Sequence, residues 1–297
     1  MPDQHPPPRL WQAADRTGGP LDDVLDVLRR RYFGLVVHRL GKNHSADDDN
    51  VYFIGLGRNL DMVQVDTGPN GQPPFTVEAH ARIDTDEPTE ALAAIQDHLA
   101  VNAGDLPSAL NALSGALGPA VDRDWSARAD TLGWDCWHTA EHIGDVLLSY
   151  AAQVVARPTT RYVRFLASAD TDATAAEVLE FALTGGGILD AAVRAAPPTL
   201  RAYHPTGMAD AEGFAAMGCV EALVHGYDIA QGLGVDLTAP PGVCARVLAR
   251  LFPDTPDTLA DRDSWSTLLW VTGRVDLPGR PRRSEEWQWH GAPLGDS

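Results

Sequence analysis

Lysine is nearly missing from this chain: of its 23 basic residues, only Lys42 is not an arginine. Against them stand 41 acidic residues, for a formal net charge of −18 over 297 residues. A surface that neutralises phosphates needs clustered Lys and Arg, so nucleic acid is not an expected partner. An anionic membrane is disfavoured for the same reason. Acidity of this size chiefly serves solubility. Long apolar runs are missing too, and none approaches the ~18 uninterrupted residues that cross a bilayer. The opening stretch, MPDQHPPPRLWQAADRTGGP, has neither a basic start nor an apolar segment. No signal peptide is therefore expected, and the expected location is cytoplasmic. Cysteine is scarce: Cys136, Cys219 and Cys244 are far apart, odd in number and without a CxxC pair. They read as small buried thiols rather than a disulfide framework.

What is present is ample apolar material, 44% of residues, enough for a packed core and a length that can hold two domains. Residues 1–19 are Pro-rich and polar and read as a flexible tail. From 20 to 101 the pattern is α-β-β-β-α, a small α+β domain. LDDVLDVLRRRYF has helical spacing, VYFIGL (51–56) and LDMVQVDT (60–67) are strand-like, and GPNGQPP is a turn before the alternating FTVEAHARI. DEPTEALAAIQDHLA closes the unit as a helix, with Asp86 or Thr89 as its cap. NAGDLPS (102–108) reads as a linker.

Beyond the linker, at 105–240, the composition turns helical. SALNALSGALGPAV, CWHTAEHIGDVLLSYAAQVV, TAAEVLEFALTGGGILDAAVRAA and AEGFAAMGCVEALVHGYDIAQGLG read as four long helices, hence a four-helix bundle. The third is expected to open at Gly185–Gly187, and the fourth to stop at Gly232 or Gly234. Residues 241–297 form an extension: the helix PPGVCARVLARLF, then a short hairpin carrying alternating Trp287 and Trp289. The expected fold class is therefore mainly α, with a small α+β N-terminal domain and a short C-terminal α/β extension.

Chemistry concentrates on two of these helices. Glu221 and His225, four apart, share one helical face among Phe214, Met217, Val220, Leu223, Val224 and Ile229. An inward carboxylate is costly unless paired or metal-bound, and carboxylate and imidazole are both good zinc ligands. Asp228, three residues on, is placed to orient the His225 ring. His142 lies on the apolar stripe of Ile143, Val146, Leu147, Tyr150 and Ala151. Read alone, it is a hydrogen-bonded core histidine. Beside an inward Glu/His pair it becomes the third ligand of a divalent metal, most simply zinc, with a position left open. A rival reading takes His138-Thr-Ala-Glu141-His142 as the inverted zinc-protease pattern HxxEH, with both histidines as ligands and Glu141 as base.

The run Trp134-Asp-Cys-Trp-His-Thr-Ala-Glu-His142 resembles the DinB superfamily motif in which a Trp precedes a metal-binding His by eight residues. Glu221-Ala-Leu-Val-His225-Gly-Tyr-Asp228 resembles the ExxxHxxD segment of its mycothiol-dependent maleylpyruvate isomerase branch, and the likeness spans about residues 105–290. The resemblance implies metal ligation by His142, Glu221 and His225, and a low-molecular-weight thiol such as mycothiol as cofactor. It also implies a small-molecule substrate that is isomerised, conjugated or transferred. Arginine-rich usage suits a mycothiol-making actinobacterium. In supporting roles, His138 and Asp228 are the candidate catalytic residues, with Asp145 a further candidate proton shuttle. Arg274 is the candidate cofactor-binding residue, with Tyr203 and His204 behind it. Many relatives carry an arginine in the turn before the Glu, where this chain has Met217, Gly218 and Cys219. Two other classes stay open: a hydrolase acting through zinc-bound hydroxide, and a non-catalytic protein that sequesters a ligand.

Overall fold

The computed structural model describes residues 16–40, 50–57, 61–79, 81–129, 133–260, 262–284 and 287–294. The expected tail at 1–15 lies outside them. Residues 16–19 are held: the backbone amides of Thr17 and Gly18 both donate to Asp22 at the start of α1 (Leu21–Arg31). Leu21, Val24, Leu25 and Leu28, spaced along one stripe of α1, are buried. Its acidic first turn and the basic Arg29–Arg31 at its end complement the helix dipole.

Five antiparallel strands follow in sequential order: β1 (Leu35–Arg39), β2 (Val51–Leu56), β3 (Val63–Gly68), β4 (Gln72–Glu78) and β5 (Arg82–Thr85). Three strands were expected. The short LVVHR forms β1 because Leu35, Val36 and Val37 bury beside β2. FTVEAHARI contributes to two strands, since the chain reverses between Glu78 and Arg82. The GPNGQPP turn is present, with Asn70 and Gly71 both at positive φ. One face of the sheet, with Tyr52, Ile54, Leu56, Val63, Val65, Phe75 and Val77, packs on α1 and on α2 (Pro88–Leu99). Neither Asp86 nor Thr89 caps α2. Glu87 occupies the cap position without a side-chain bond, and Pro88 supplies the preset φ of the first turn.

The rest of the described chain is helical: α3 (Asp105–Leu117), α4 (Cys136–Ala156), α5 (Ala175–Arg194), α6 (Ala211–Val220), α7 (Gly226–Leu233), α8 (Pro241–Leu251) and α9 (Ser264–Val271). The class is mainly α with a small antiparallel sheet. α3 begins inside the stretch expected as linker. α5 runs unbroken through Gly185–Gly187, because two of those glycines are packing devices rather than breaks. A Cβ on Gly185 would lie 2.8 Å from the Gly144 carbonyl oxygen of α4, and one on Gly186 would strike Leu110 of α3. α7 ends at Gly234 (φ 64°), the left-handed stop expected there.

α3 to α7 share one apolar core, in which Leu113, Ile143, Leu147, Leu189, Phe214 and Leu223 are fully buried. α8 belongs to two cores. Val247 and Leu248 face the helical one, and Ala245 and Ala249 face the sheet. Arg246 on α8 also joins Asp105 of α3 to Asp61 beside β3, at 2.6 and 2.9 Å. Among the described residues the expected C-terminal hairpin is not formed. Among the described residues after α9 the strand-like feature is one bridge, Leu277 to Arg280. Instead Trp287 and Trp289 both turn inward, against Phe252 and His204. His290 donates its amide to the Leu251 carbonyl at the end of α8. Among its described residues the extension is thus helix and coil, not α/β. No helix among the described residues is long and apolar enough to cross a membrane.

Candidate metal centre

α6 and α7 are not one regular α-helix. Between them Glu221–His225 forms a π-helical turn, placed on the EALVH segment itself. A π-turn inserts one extra residue into the helix and is frequent at functional sites. Glycines flank it. A Cβ on Gly218 would meet Leu189 at 2.8 Å, and one on Gly226 would meet Leu113 at 2.6 Å. Neighbouring helices therefore press closely on either side of the widened turn. Met217 and Cys219, in the turn before Glu221, are fully buried in the apolar core.

The turn delivers Glu221 and His225 to the face of α4 that carries His142. One ligand atom from each of the three lies within 4.8 Å of the others. Glu221 Oε2 is 3.2 Å from His225 Nε2 and 3.9 Å from His142 Nε2. The two rings meet edge to face with centroids 5.0 Å apart. Trp134 packs on the outer side of His142 at the same centroid separation, 5.0 Å.

Two of the three are held from behind. Asp228 Oδ2 lies 3.2 Å from His225 Nδ1, which turns Nε2 inward. Asp228 is held in turn by Arg274, whose Nη2 and Nε donate to it at 2.8 and 3.2 Å. On the other side the Tyr150 hydroxyl donates to Glu221 Oε1 at 3.0 Å. Burial opposes a charge on His225, but the hydrogen bonds to Asp228 and Glu221 outweigh it and push the pKa up to about 9. Burial likewise opposes ionisation of Glu221, and the bond to His225, with His142 and Tyr150, holds it below the usual carboxylate value. Burial dominates at His142 and lowers its pKa. At neutral pH the cluster thus carries a carboxylate, a neutral imidazole and an imidazolium whose proton stands where a cation would.

That donor set fits a divalent metal. Two Nε2 atoms and a carboxylate oxygen converge from two helices, and the ion-pair partners of Glu221 among the described residues are the two imidazoles. The cluster forms the floor of an open cavity of about 890 Å³. Arg128, Arg274, Arg282 and Arg283 line it with Trp287 and Trp289, and Glu221 is its sole carboxylate among the described residues. An acidic protein has gathered arginines at this one opening.

The other candidate residues stand elsewhere. His138 is 60% exposed, bonded through Nδ1 to Asp135 at 2.7 Å, and does not line the cavity. It stands in the exposed first turn of α4, drawn to the Asp135 cap and away from Glu221 and His225. Asp228 is buried beneath His225 and does not line the cavity; its carboxylate contacts the His225 ring instead. Asp145 accepts the Ala167 amide and ties down the loop after α4. Arg274 does line the cavity, but the two hydrogen bonds to Asp228 bind its guanidinium. Tyr203 and His204 lie outside the lining. Sequence reasoning missed Tyr150, taken only as part of an apolar stripe. It also missed Arg128, Arg282 and Arg283, which no local pattern ties to the ligand helices.

Residues 106–230 match the family model described as the mycothiol maleylpyruvate isomerase N-terminal domain, a DinB-like family domain. No curated protein and no solved structure matches the chain.

Proposed function

We propose that this protein is a metal-dependent enzyme that uses a low-molecular-weight thiol, of the mycothiol type, to transfer to or isomerise a small anionic molecule. In this reading α3, α4, α5 and the α6–α7 pair form a DinB-like four-helix bundle, and the enzyme works in the cytoplasm. The observation that carries it is the convergence of His142, Glu221 and His225 at the floor of an arginine-lined cavity. Zinc bound there would act as a Lewis acid, stabilising a thiolate at neutral pH. The protein's own groups supply the rest. Asp228 and Arg274 keep the His225 ring in one tautomer and orientation. Exposed Arg128, Arg282 and Arg283 attract and orient carboxylate groups of a substrate. Trp287 and Trp289 form an apolar wall that limits water on one side.

The test is metal analysis of the purified protein beside His142→Ala and Glu221→Ala, followed by turnover of an α,β-unsaturated dicarboxylate with and without thiol. Wild type is expected to hold about one equivalent of metal, lost in both variants, and to convert substrate only with thiol present. A metal-free wild type purified without chelators overturns the reading. Turnover that ignores thiol replaces it with hydrolysis.

A further inference from the structure

Glu221 is gripped at both oxygens, and the two grips differ. Oε2 faces the imidazoles of His225 and His142. Oε1 faces away, toward the Tyr150 hydroxyl at 3.0 Å. His142 and Tyr150 sit eight residues apart on α4, an interval that returns to the same helical face. One helix therefore supplies a ligand and, two turns on, the group that holds the partner ligand.

Tyr150 has little freedom to do anything else. It is 3% exposed, and its ring is backed by Phe214 and His204 at centroid distances of 5.8 and 6.3 Å. The hydroxyl is the donor in the 3.0 Å bond to Glu221 Oε1. For Oε1 to swing toward an ion, this hydrogen bond would break in a buried place where water does not replace it.

We propose that Tyr150 is a positioning residue that restricts Glu221 to coordination through one oxygen, and so keeps a metal position free on the cavity side. This rests on the metal reading of the site given above, and adds a residue outside the three ligands that decides how many positions the protein itself fills. An ion held by one oxygen and two nitrogens retains room for an incoming ligand, whereas a chelating carboxylate would crowd it.

The experiment uses the full chain loaded with cobalt(II), whose visible bands are intense at low coordination number and weak at high. Wild type is expected to show the intense, four-coordinate type of spectrum. Tyr150→Phe keeps the ring and deletes the hydroxyl. Its bands should weaken as Oε1 closes on the ion, and zinc affinity measured against a competing chelator should fall about 10–100-fold. Normal metal affinity with an unchanged cobalt spectrum in Y150F overturns the proposal. Should Y150F fail to fold, a chain with 3-fluorotyrosine at position 150 decides. That ring keeps a stronger donor, so wild-type spectrum and affinity support the proposal, and a loss of either overturns it. A wild type that takes up no cobalt sinks the metal reading itself, a result distinct from either variant's behaviour.

Discussion

Replacing Arg274 by methionine removes the guanidinium that holds Asp228 and leaves a carboxylate buried beneath the metal ligands. The pair is well sealed, with side-chain exposures of 7% for Arg274 and 3% for Asp228 and a contact of 2.8 Å. Removing one partner of such a pair costs about 3–5 kcal/mol, because the other charge stays buried. Asp228 keeps the His225 ring as a neighbour at 3.2 Å, so the lower end, ~3 kcal/mol, is expected. For a chain of this size that is a fall in Tm of about 5 °C. The informative variant is the double one, Asp228→Asn with Arg274→Met. Asparagine's carbonyl oxygen still accepts from His225 Nδ1, and no unpaired charge remains. The double variant should therefore lose less than the two single losses added together, by roughly 1–3 kcal/mol of coupling. Scanning calorimetry of the metal-free protein at neutral pH reads all four corners of the cycle. Additive losses, with the double variant as low as the sum of the singles, would refute the claim that a buried ion pair braces His225.

Two further outcomes follow from packing and burial. Gly185→Ala and Gly187→Ala sit two residues apart in α5 and should move stability in opposite directions. At Gly185 the new methyl meets the Gly144 carbonyl oxygen at 2.8 Å, for a loss of about 1–3 kcal/mol. At exposed Gly187 nothing lies within 4 Å, and the helix gains about 0.5–1 kcal/mol, both read by urea denaturation. His204 carries a pH signature. Burial lowers its pKa from 6.5 to about 4, against a smaller upward pull from Glu221. The unfolded chain therefore binds this proton first as pH falls. The folded state should lose stability from pH 6.5 downward and level off below about 4, by up to roughly 3 kcal/mol. His204→Gln should flatten that part of a stability-versus-pH profile, and an unchanged profile removes His204 as the cause.

Local pattern carried a good part of this reading. The stripe of α1, the turn at Asn70–Gly71, the Gly234 stop and the long amphipathic helices are short-range consequences of period, propensity and glycine chemistry, and they lie where the spacing put them. The misses share a cause as well. β1 is five residues long and is a strand only because β2 pairs with it. The Gly185–Gly187 run looks like a break until Gly144 and Leu110 fill the space a side chain would take. Trp287 and Trp289 alternate like strand residues but answer to Phe252 and His204 instead.

By itself, then, the sequence determined which residue types could form a site and on which helices they stand: His142 on one, Glu221 and His225 on another, with Asp228 a turn beyond. Spacing along a helix fixes relative direction, so those relations need no tertiary knowledge. Only the tertiary structure decided that the two helices face each other at those residues, that the Glu221–His225 turn is widened, and that His138 looks outward. It alone brought Tyr150 to Glu221, Arg274 to Asp228 and three further arginines to the cavity. Those meetings join residues 46 to 71 positions apart or more. They depend on how whole helices pack, and no window of neighbouring residues records that.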